Sequence, residues 1–150
     1  ILKELPDAKL KIVGRDPTSA IRLLGEKTGV KVVGEVEDIR QALGEAHVMV
    51  TPIRNGRGTR YKILEAMAAG LPVVSTSLGI EGIQAMDGKH ALIRDGVGEL
   101  AQATVGLLKN KNLANALAEN AKKLVMSNFN WEKISADLDG VYRSMRRVHK

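Results

Sequence analysis

The stretch that decides the fold is RNGRGTRYKILEAMAAGLPVV, residues 54–74. Its first nine residues hold four cations (Arg54, Arg57, Arg60 and Lys62) and two glycines (Gly56 and Gly58). A helix is predicted over residues 59–69, and cations at a helix N-terminus are unfavourable because that end already carries partial positive charge. Glycines let the backbone approach a ligand closely and reach positive φ. The stretch therefore predicts an anion site at the start of the helix.

The common nucleotide fingerprints do not account for this site. Tyr61 stands where the third glycine of G-x-G-x-x-G would fall, and the Walker A spacing is absent. Glu65 follows inside the predicted helix, where a carboxylate can accept hydrogen bonds from two vicinal sugar hydroxyls. The alternative for Glu65 is an intrahelical contact with Lys62 or Tyr61. A solvated basic loop is the alternative for the cations.

Outward from this stretch, apolar runs alternate with helical spacing. Strands are predicted over residues 9–13, 30–33, 47–51, 72–76 and 90–93. Helices are predicted over residues 19–27, 38–46, 59–69, 97–108, 112–126 and 131–145. This order predicts an α/β fold: a Rossmann-like parallel sheet of about five strands with helices on both faces. Ligands of such sheets bind at the carboxyl ends of the strands, and the cationic stretch directly follows one of them.

Composition narrows the class of protein. The chain has 150 residues, 44% of them hydrophobic, which suits one soluble domain spanning 1–150. It has no cysteine, three scattered histidines and no long apolar run, so we expect no metal site, no membrane span and a cytoplasmic location. The net charge of +6 favours anionic partners, whereas 3% aromatic residues argue against nucleic acid.

Four segments resemble the nucleotide-sugar-binding domain of family 4 retaining glycosyltransferases, the C-terminal half of a GT-B fold. The specific segment is LEAMAAGLPVVSTSLGIEGI, residues 64–83. The supporting segments follow in the family's order: PDAKLKIVG (6–14), VKVVGEVEDIRQALGEAHVMVTP (30–52) and FNWEKISADLDGVYRSM (129–145). The resemblance implies transfer of a sugar from a nucleoside diphosphate sugar, UDP- or GDP-linked, to an acceptor hydroxyl, without a cofactor or an enzyme-bound metal.

The resemblance also implies roles for particular residues. Glu65 would bind the nucleotide ribose, the backbone from Thr59 to Lys62 would face the hexose and diphosphate, and Lys62 and Arg60 would supply charge to the leaving group. The candidate donor-site residues are Gly34, Glu35, Val36, Pro52, Arg57, Gly58, Thr59, Arg60, Tyr61, Lys62, Leu64 and Glu65. Those near Gly34 would hold the base. One departure is Arg57, which stands where the family usually places a first glutamate.

A second departure is at the beginning of the chain. The family's domain starts with a further strand and a loop carrying an Arg/Lys diphosphate clamp, and neither is found here. We therefore expect a fragment of a two-domain enzyme that lacks its N-terminal acceptor-binding domain and is inactive alone. Self-association could fill the place of the missing strand. In the favoured interpretation, Trp131 and Tyr142 of the last helix pack on the domain's own core; in the alternative, they are exposed as an apolar patch because the helix has lost its partner domain.

Two other classes remain open at the level of the sequence. The first is a non-catalytic basic α/β module that binds nucleotides or anionic surfaces. The second is part of a GT-B sugar-nucleotide epimerase, which would need acid/base residues that the sequence does not offer. Basic residues of the last helices, Arg143 among them, face solvent in the favoured interpretation and touch the inner face of the membrane in the alternative.

Overall fold

The computed structural model describes residues 1–56, 58 and 60–148, with side chains described up to residue 145. Five strands alternate with seven helices in this part of the chain. The strands are β1 (Leu10–Val13), β2 (Val30–Gly34), β3 (Met49–Thr51), β4 (Val73–Ser75) and β5 (Leu92–Ile93). The helices are α1 (Ser19–Leu24), α2 (Ile39–Gly44), α3 (Tyr61–Ala68), α4 (Ser77–Ile80), α5 (Val97–Lys109), α6 (Lys111–Asn128) and α7 (Trp131–Val148).

All the strand pairs in the described ranges are parallel, which confirms the predicted α/β class. The strands form two hydrogen-bonded ladders rather than one: β1 pairs with β2, and β4 lies between β3 and β5. Thr51 pairs with Ser75, and Ser75 pairs with Ile93, so the carboxyl ends of β3, β4 and β5 lie side by side. This edge is where a ligand of a parallel sheet is expected.

The core is built around α3 and β4. Ile63, Ala66 and Met67 of α3 are fully buried, and so is every residue of β4. Their cluster includes Ala121 and Val125 of α6. A second cluster joins Val74 to Leu107 of α5 and Leu117 of α6, on the opposite face of the ladder. Because Val73 and Val74 alternate between the two clusters, the three-stranded ladder is covered on both faces, as its apolar sequence predicts.

The two-stranded ladder is much less well packed. None of the residues 1–42 is buried, and Leu10 at the start of β1 is 49% exposed. An open groove of about 770 Å³ lies beside it, lined by Lys11, Lys31 and Val33 of the ladder and by residues of α2. The ladder is linked to the rest of the chain through α2, since Lys11 forms an ion pair with Glu45 and Leu43 packs in the core beside α3.

Within the described residues, β1 and β3 each pair with a neighbouring strand on one edge only. The amide of Leu10 donates to Gly29 of the neighbouring segment and that of Gly14 donates to Gly34, so the even residues of β1 face β2. Lys11 and Val13 therefore face away from it. The amide of Met49 donates to Pro72, so Val50 likewise faces away from β4. Each strand has an edge open to a further strand.

The last helix presents an apolar stripe to solvent. Trp131 is 80% exposed, and the residues that follow it at helical spacing are also exposed: Ile134, Leu138, Val141, Tyr142 and Met145. Trp131 and Tyr142 are therefore exposed and do not pack on the domain's own core. Over the described residues, no helix combines the length and the apolar character needed to cross a bilayer.

Candidate functional site

The candidate site is the carboxyl edge of the three-stranded ladder, where α3 begins. Gly56 and Gly58, in the segment before α3, have φ of +135° and +101°, a conformation that favours glycine. The helix is preceded by Arg60, whose side chain does not cap it. The amides of Ile63 and Leu64 bond to the Arg60 carbonyl, whereas Tyr61 and Lys62 supply the first two amides of the helix, which have no intrahelical partner.

The predicted site residues on α3 lie on one exposed surface. Tyr61 is 68% exposed, Lys62 and Glu65 are exposed, and Leu64 is half-buried. Glu65 takes part in none of the ion pairs of the described residues, so the alternative of an intrahelical pair with Lys62 is not what the structure shows. Among the described side chains, none forms a hydrogen bond or ion pair with the Glu65 carboxylate. Pro52 is exposed directly after β3, whereas Arg57 and Thr59 lie outside the described residues.

Arg60 differs from the exposed Arg54 and Lys62 because its side chain is buried, with 8% of its surface exposed. Its Nη2 donates to the carbonyl of Gly56 at 3.1 Å and to that of Leu78 at 3.2 Å. Its Nε is buried without a hydrogen-bond partner. The cation thus lies inside the wall of the site, between the segment that follows β3 and α4.

Residues after β4 complete this wall. The Thr76 hydroxyl donates to the Ile53 carbonyl at 2.6 Å and accepts from the amide of Gly79 at 3.0 Å. The amide and hydroxyl of Ser77 both donate to Asp95 at 2.9 Å, which fastens α4 to the end of β5. This group was not predicted from the sequence, since α4 has only four residues and shows no periodicity. The only signal was the run of hydroxyl residues 75–77, which favours capping.

The remaining predicted residues lie in the other ladder. Gly34 ends β2 with a φ of +77°, Glu35 is exposed and Val36 is half-buried. Glu35 forms an ion pair with Arg15 at 2.7 Å. This ion pair links the carboxyl ends of β1 and β2. Within the described residues, β2 and α3 make no extensive contact, although both lie at carboxyl ends of parallel strands.

His90 is the one buried histidine of the described residues. Its Nδ1 accepts from the amide of Met86 at 3.0 Å. Burial, with a smaller contribution from the charge of Lys89, lowers the pKa of His90 below its usual value and so favours the neutral acceptor. Within the described ranges no three His, Asp or Glu side chains are grouped as metal ligands would be.

The match to known proteins covers the elements that build the site. Residues 1–110, from β1 to the end of α5, match the family described as Glycosyl transferases group 1. The chain belongs to this family. It is also 27% identical over 151 residues to the phosphatidyl-myo-inositol mannosyltransferase of Mycolicibacterium smegmatis, covering 97% of this chain and 39% of that protein. The chain thus spans about two fifths of this relative's length.

Solved structures show the same fold. Sucrose-phosphate synthase from Thermosynechococcus elongatus superposes with a TM-score of 0.79 at 25% identity, over 98% of this chain and 41% of that one. The Anabaena protein HepE, crystallised with UDP and glucose, superposes with a TM-score of 0.78 at 20% identity, over 95% of this chain and 43% of that one. The predicted GT-B-type α/β fold and membership of a glycosyltransferase family are thus confirmed.

Proposed function

We propose that this chain is the donor-binding domain of a retaining glycosyltransferase that uses a nucleoside diphosphate sugar. The observation that carries the proposal is the beginning of α3, where uncapped amides and the exposed Lys62 lie at the carboxyl edge of the ladder. Partial positive charge at a helix N-terminus favours phosphate. Membership of the glycosyl transferase family supports the same assignment.

The diphosphate lies against the first turn of α3 in this proposal. The amides of Tyr61 and Lys62 donate to phosphoryl oxygens, and Gly58 leaves room for them. The exposed Lys62 ammonium contacts the β-phosphate directly, and the buried Arg60 guanidinium adds positive charge from behind the wall. A charge buried in a medium of low dielectric acts more strongly than one in water.

The nucleoside is held at two places, its ribose and its base. Glu65 lies four residues after Tyr61, about one helical turn further along α3, and its unpaired carboxylate accepts from the ribose hydroxyls. The backbone of Gly34, Glu35 and Val36 at the end of β2 meets the base. Pro52 and Leu64 complete the surface around the hexose.

The proposed reaction breaks the bond between the anomeric carbon and the β-phosphate oxygen. Negative charge grows on the departing nucleoside diphosphate, where Lys62 and the α3 N-terminus stabilise it. The acceptor oxygen forms the new bond on the face that the leaving group vacates, and its proton passes to the departing phosphate. No cofactor or protein nucleophile takes part in this scheme.

Calorimetric titration of the intact protein with UDP, GDP and ADP tests the proposal. We expect one of them to bind clearly more tightly than the others, and Glu65→Ala and Lys62→Ala each to weaken that binding about ten- to hundredfold, the loss of a charge-assisted hydrogen bond. Glu119→Ala and Lys122→Ala on the exposed face of α6 make the same charge changes away from the site and should leave affinity unchanged.

Other results would point elsewhere. Absence of binding, or binding that neither α3 substitution alters, would refute the donor-site proposal. If affinity falls steeply with salt concentration and shows no preference among the three diphosphates, the result would favour the basic, non-catalytic module instead.

The domain organisation is a further part of the proposal. Another domain of the intact protein supplies the acceptor site, and a strand outside residues 1–150 lies between the open edges of β1 and β3, joining the two ladders. The unused backbone groups of Val13 and Val50 support this placement. The 150-residue chain alone should therefore transfer no sugar under conditions in which the intact protein does. Turnover by the isolated chain would overturn this organisation.

A further inference from the structure

The buried guanidinium of Arg60 is unusual for a cation beside a ligand site. Arg60 is 8% exposed, whereas Tyr61 next to it is 68% exposed. No ion pair of the described residues includes Arg60. Burying a charge without a partner of opposite sign is costly, so a protein tolerates it only where the charged group has a specific task.

The hydrogen bonds of Arg60 indicate that task. A single nitrogen, Nη2, reaches two backbone carbonyls that are 22 residues apart in sequence, those of Gly56 and Leu78. Gly56 belongs to the segment between β3 and α3, and Leu78 belongs to α4. Both acceptors are neutral, so these bonds fix positions rather than neutralise charge. The bridge joins two segments that border the start of α3.

One side of the bridge is already rigidly held. Ser77, next to Leu78, donates twice to Asp95 at 2.9 Å, and the amide of Gly79 donates to Thr76 at 3.0 Å. Thr76 also holds the beginning of the other segment by donating to Ile53 at 2.6 Å. The segment 53–56 is thus fastened at its first residue by Thr76 and at its last by Arg60.

We infer that Arg60 is a positioning residue of the phosphate site, which sets the shape of the glycine segment without touching the ligand. Gly56 has a φ of +135°, one of several conformations open to glycine, so a contact from outside the segment is needed to select it. Through Nη2, Arg60 fixes the Gly56 carbonyl against α4, beside the first turn of α3 where Tyr61 and Lys62 present their amides to the phosphate. This inference rests on the proposed function and adds to it that the phosphate site depends on α4.

The planar guanidinium is what this position requires. The two N–H groups of Arg60 Nη2 point in fixed directions in the guanidinium plane, whereas the ammonium of lysine is a point charge on a flexible stem. A lysine at position 60 therefore keeps the charge but loses the geometry that joins the two carbonyls. Arg60→Lys separates the positioning role from a purely electrostatic one.

The experiment measures two ligands on the intact protein. We expect Arg60→Lys to lower the affinity for UDP or GDP, whichever the unmodified protein binds, by about tenfold or more. This is the effect expected for loss of a hydrogen bond to a charged group. The corresponding nucleoside, followed by ligand-observed NMR, should keep its affinity within about twofold, because its proposed contacts lie at Glu65 and the end of β2. Arg22→Lys is the matched control: Nε of Arg22 bonds to the Pro17 carbonyl at 3.0 Å on the exposed surface of α1.

Each outcome decides a different point. Unchanged diphosphate affinity in Arg60→Lys would overturn the inference while leaving the proposed function intact. An equal loss of affinity for the nucleoside and the diphosphate would show that the substitution destabilises the whole domain, and it would also overturn the inference. If the unmodified protein binds neither diphosphate, the proposed function fails and the inference fails with it.

A measurement on the unmodified protein covers the case in which Arg60→Lys does not fold. Bound diphosphate should slow amide hydrogen exchange in both 53–56 and 77–80, because the Arg60 bridge couples them. The nucleoside alone should slow neither segment. Protection confined to the first segment would contradict the coupling.

Discussion

Replacing Ile63 with alanine should destabilise the domain by about 2–5 kcal/mol, the usual cost of removing a large aliphatic side chain from a packed core. Ile63 is fully buried in the first turn of α3 and packs in the cluster that contains Met67 and Val73. Because α3 is held against the ladder by this face, the substitution weakens the attachment of the helix whose beginning forms the site. Urea denaturation followed by circular dichroism measures the loss.

Two further variants make the Ile63 result interpretable. Ile63→Val removes one methylene and should cost about 0.5–1.5 kcal/mol. Leu23→Ala removes a side chain of the same size from α1, where it is 59% exposed, and should change stability by no more than about 0.5 kcal/mol. Equal losses for Ile63→Ala and Leu23→Ala would contradict the placement of the core around α3.

The part of the fold that the sequence predicts best is the part with the most burial. β3 and β4 have apolar runs, and α3 has a clear helical spacing of apolar residues. All three elements lie within two residues of their predicted bounds. The elements of residues 1–44 were also predicted, although α1 ends at Leu24, three residues before its predicted end. How they pack was not predicted. Periodicity shows which side of a strand is apolar and cannot show that β1 lacks a neighbour on one edge.

The candidate site was predictable only in its exposed half. Cations and glycines before a helix mark an anion site, because their chemistry is local to one stretch of sequence. The burial of Arg60 depends on Leu78, which is 18 residues away, and the attachment of α4 depends on Asp95, which is 18 residues from Ser77. Such long-range hydrogen bonds leave no periodic signal, so arginines that look alike in sequence acquire different tasks in the fold.

Gly79 shows how tightly this edge of the ladder is built. A Cβ at position 79 would lie 3.0 Å from both the Thr51 carbonyl oxygen and Thr76 Oγ1, and closer still to Ser75 Oγ. Ser75 is fully buried, and its hydroxyl is already bonded to the carbonyls of Thr51 and Thr76. The Thr51 oxygen is backbone in a paired strand. None of the three atoms can move without disturbing the ends of β3 and β4.

Gly79→Ala should therefore destabilise the domain by about 1–3 kcal/mol, the typical cost of overpacking. Gly98→Ala is the matched control: Gly98 also lies in a helix, and its added Cβ would meet nothing within 4 Å. It should stabilise α5 by about 0.5–1 kcal/mol, since alanine is the better helix former. Urea denaturation of both variants should give opposite signs. A Gly79→Ala variant as stable as Gly98→Ala would mean that α4 does not press on the ends of β3 and β4, and the wall that Arg60 and Leu78 form would lose its fixed side.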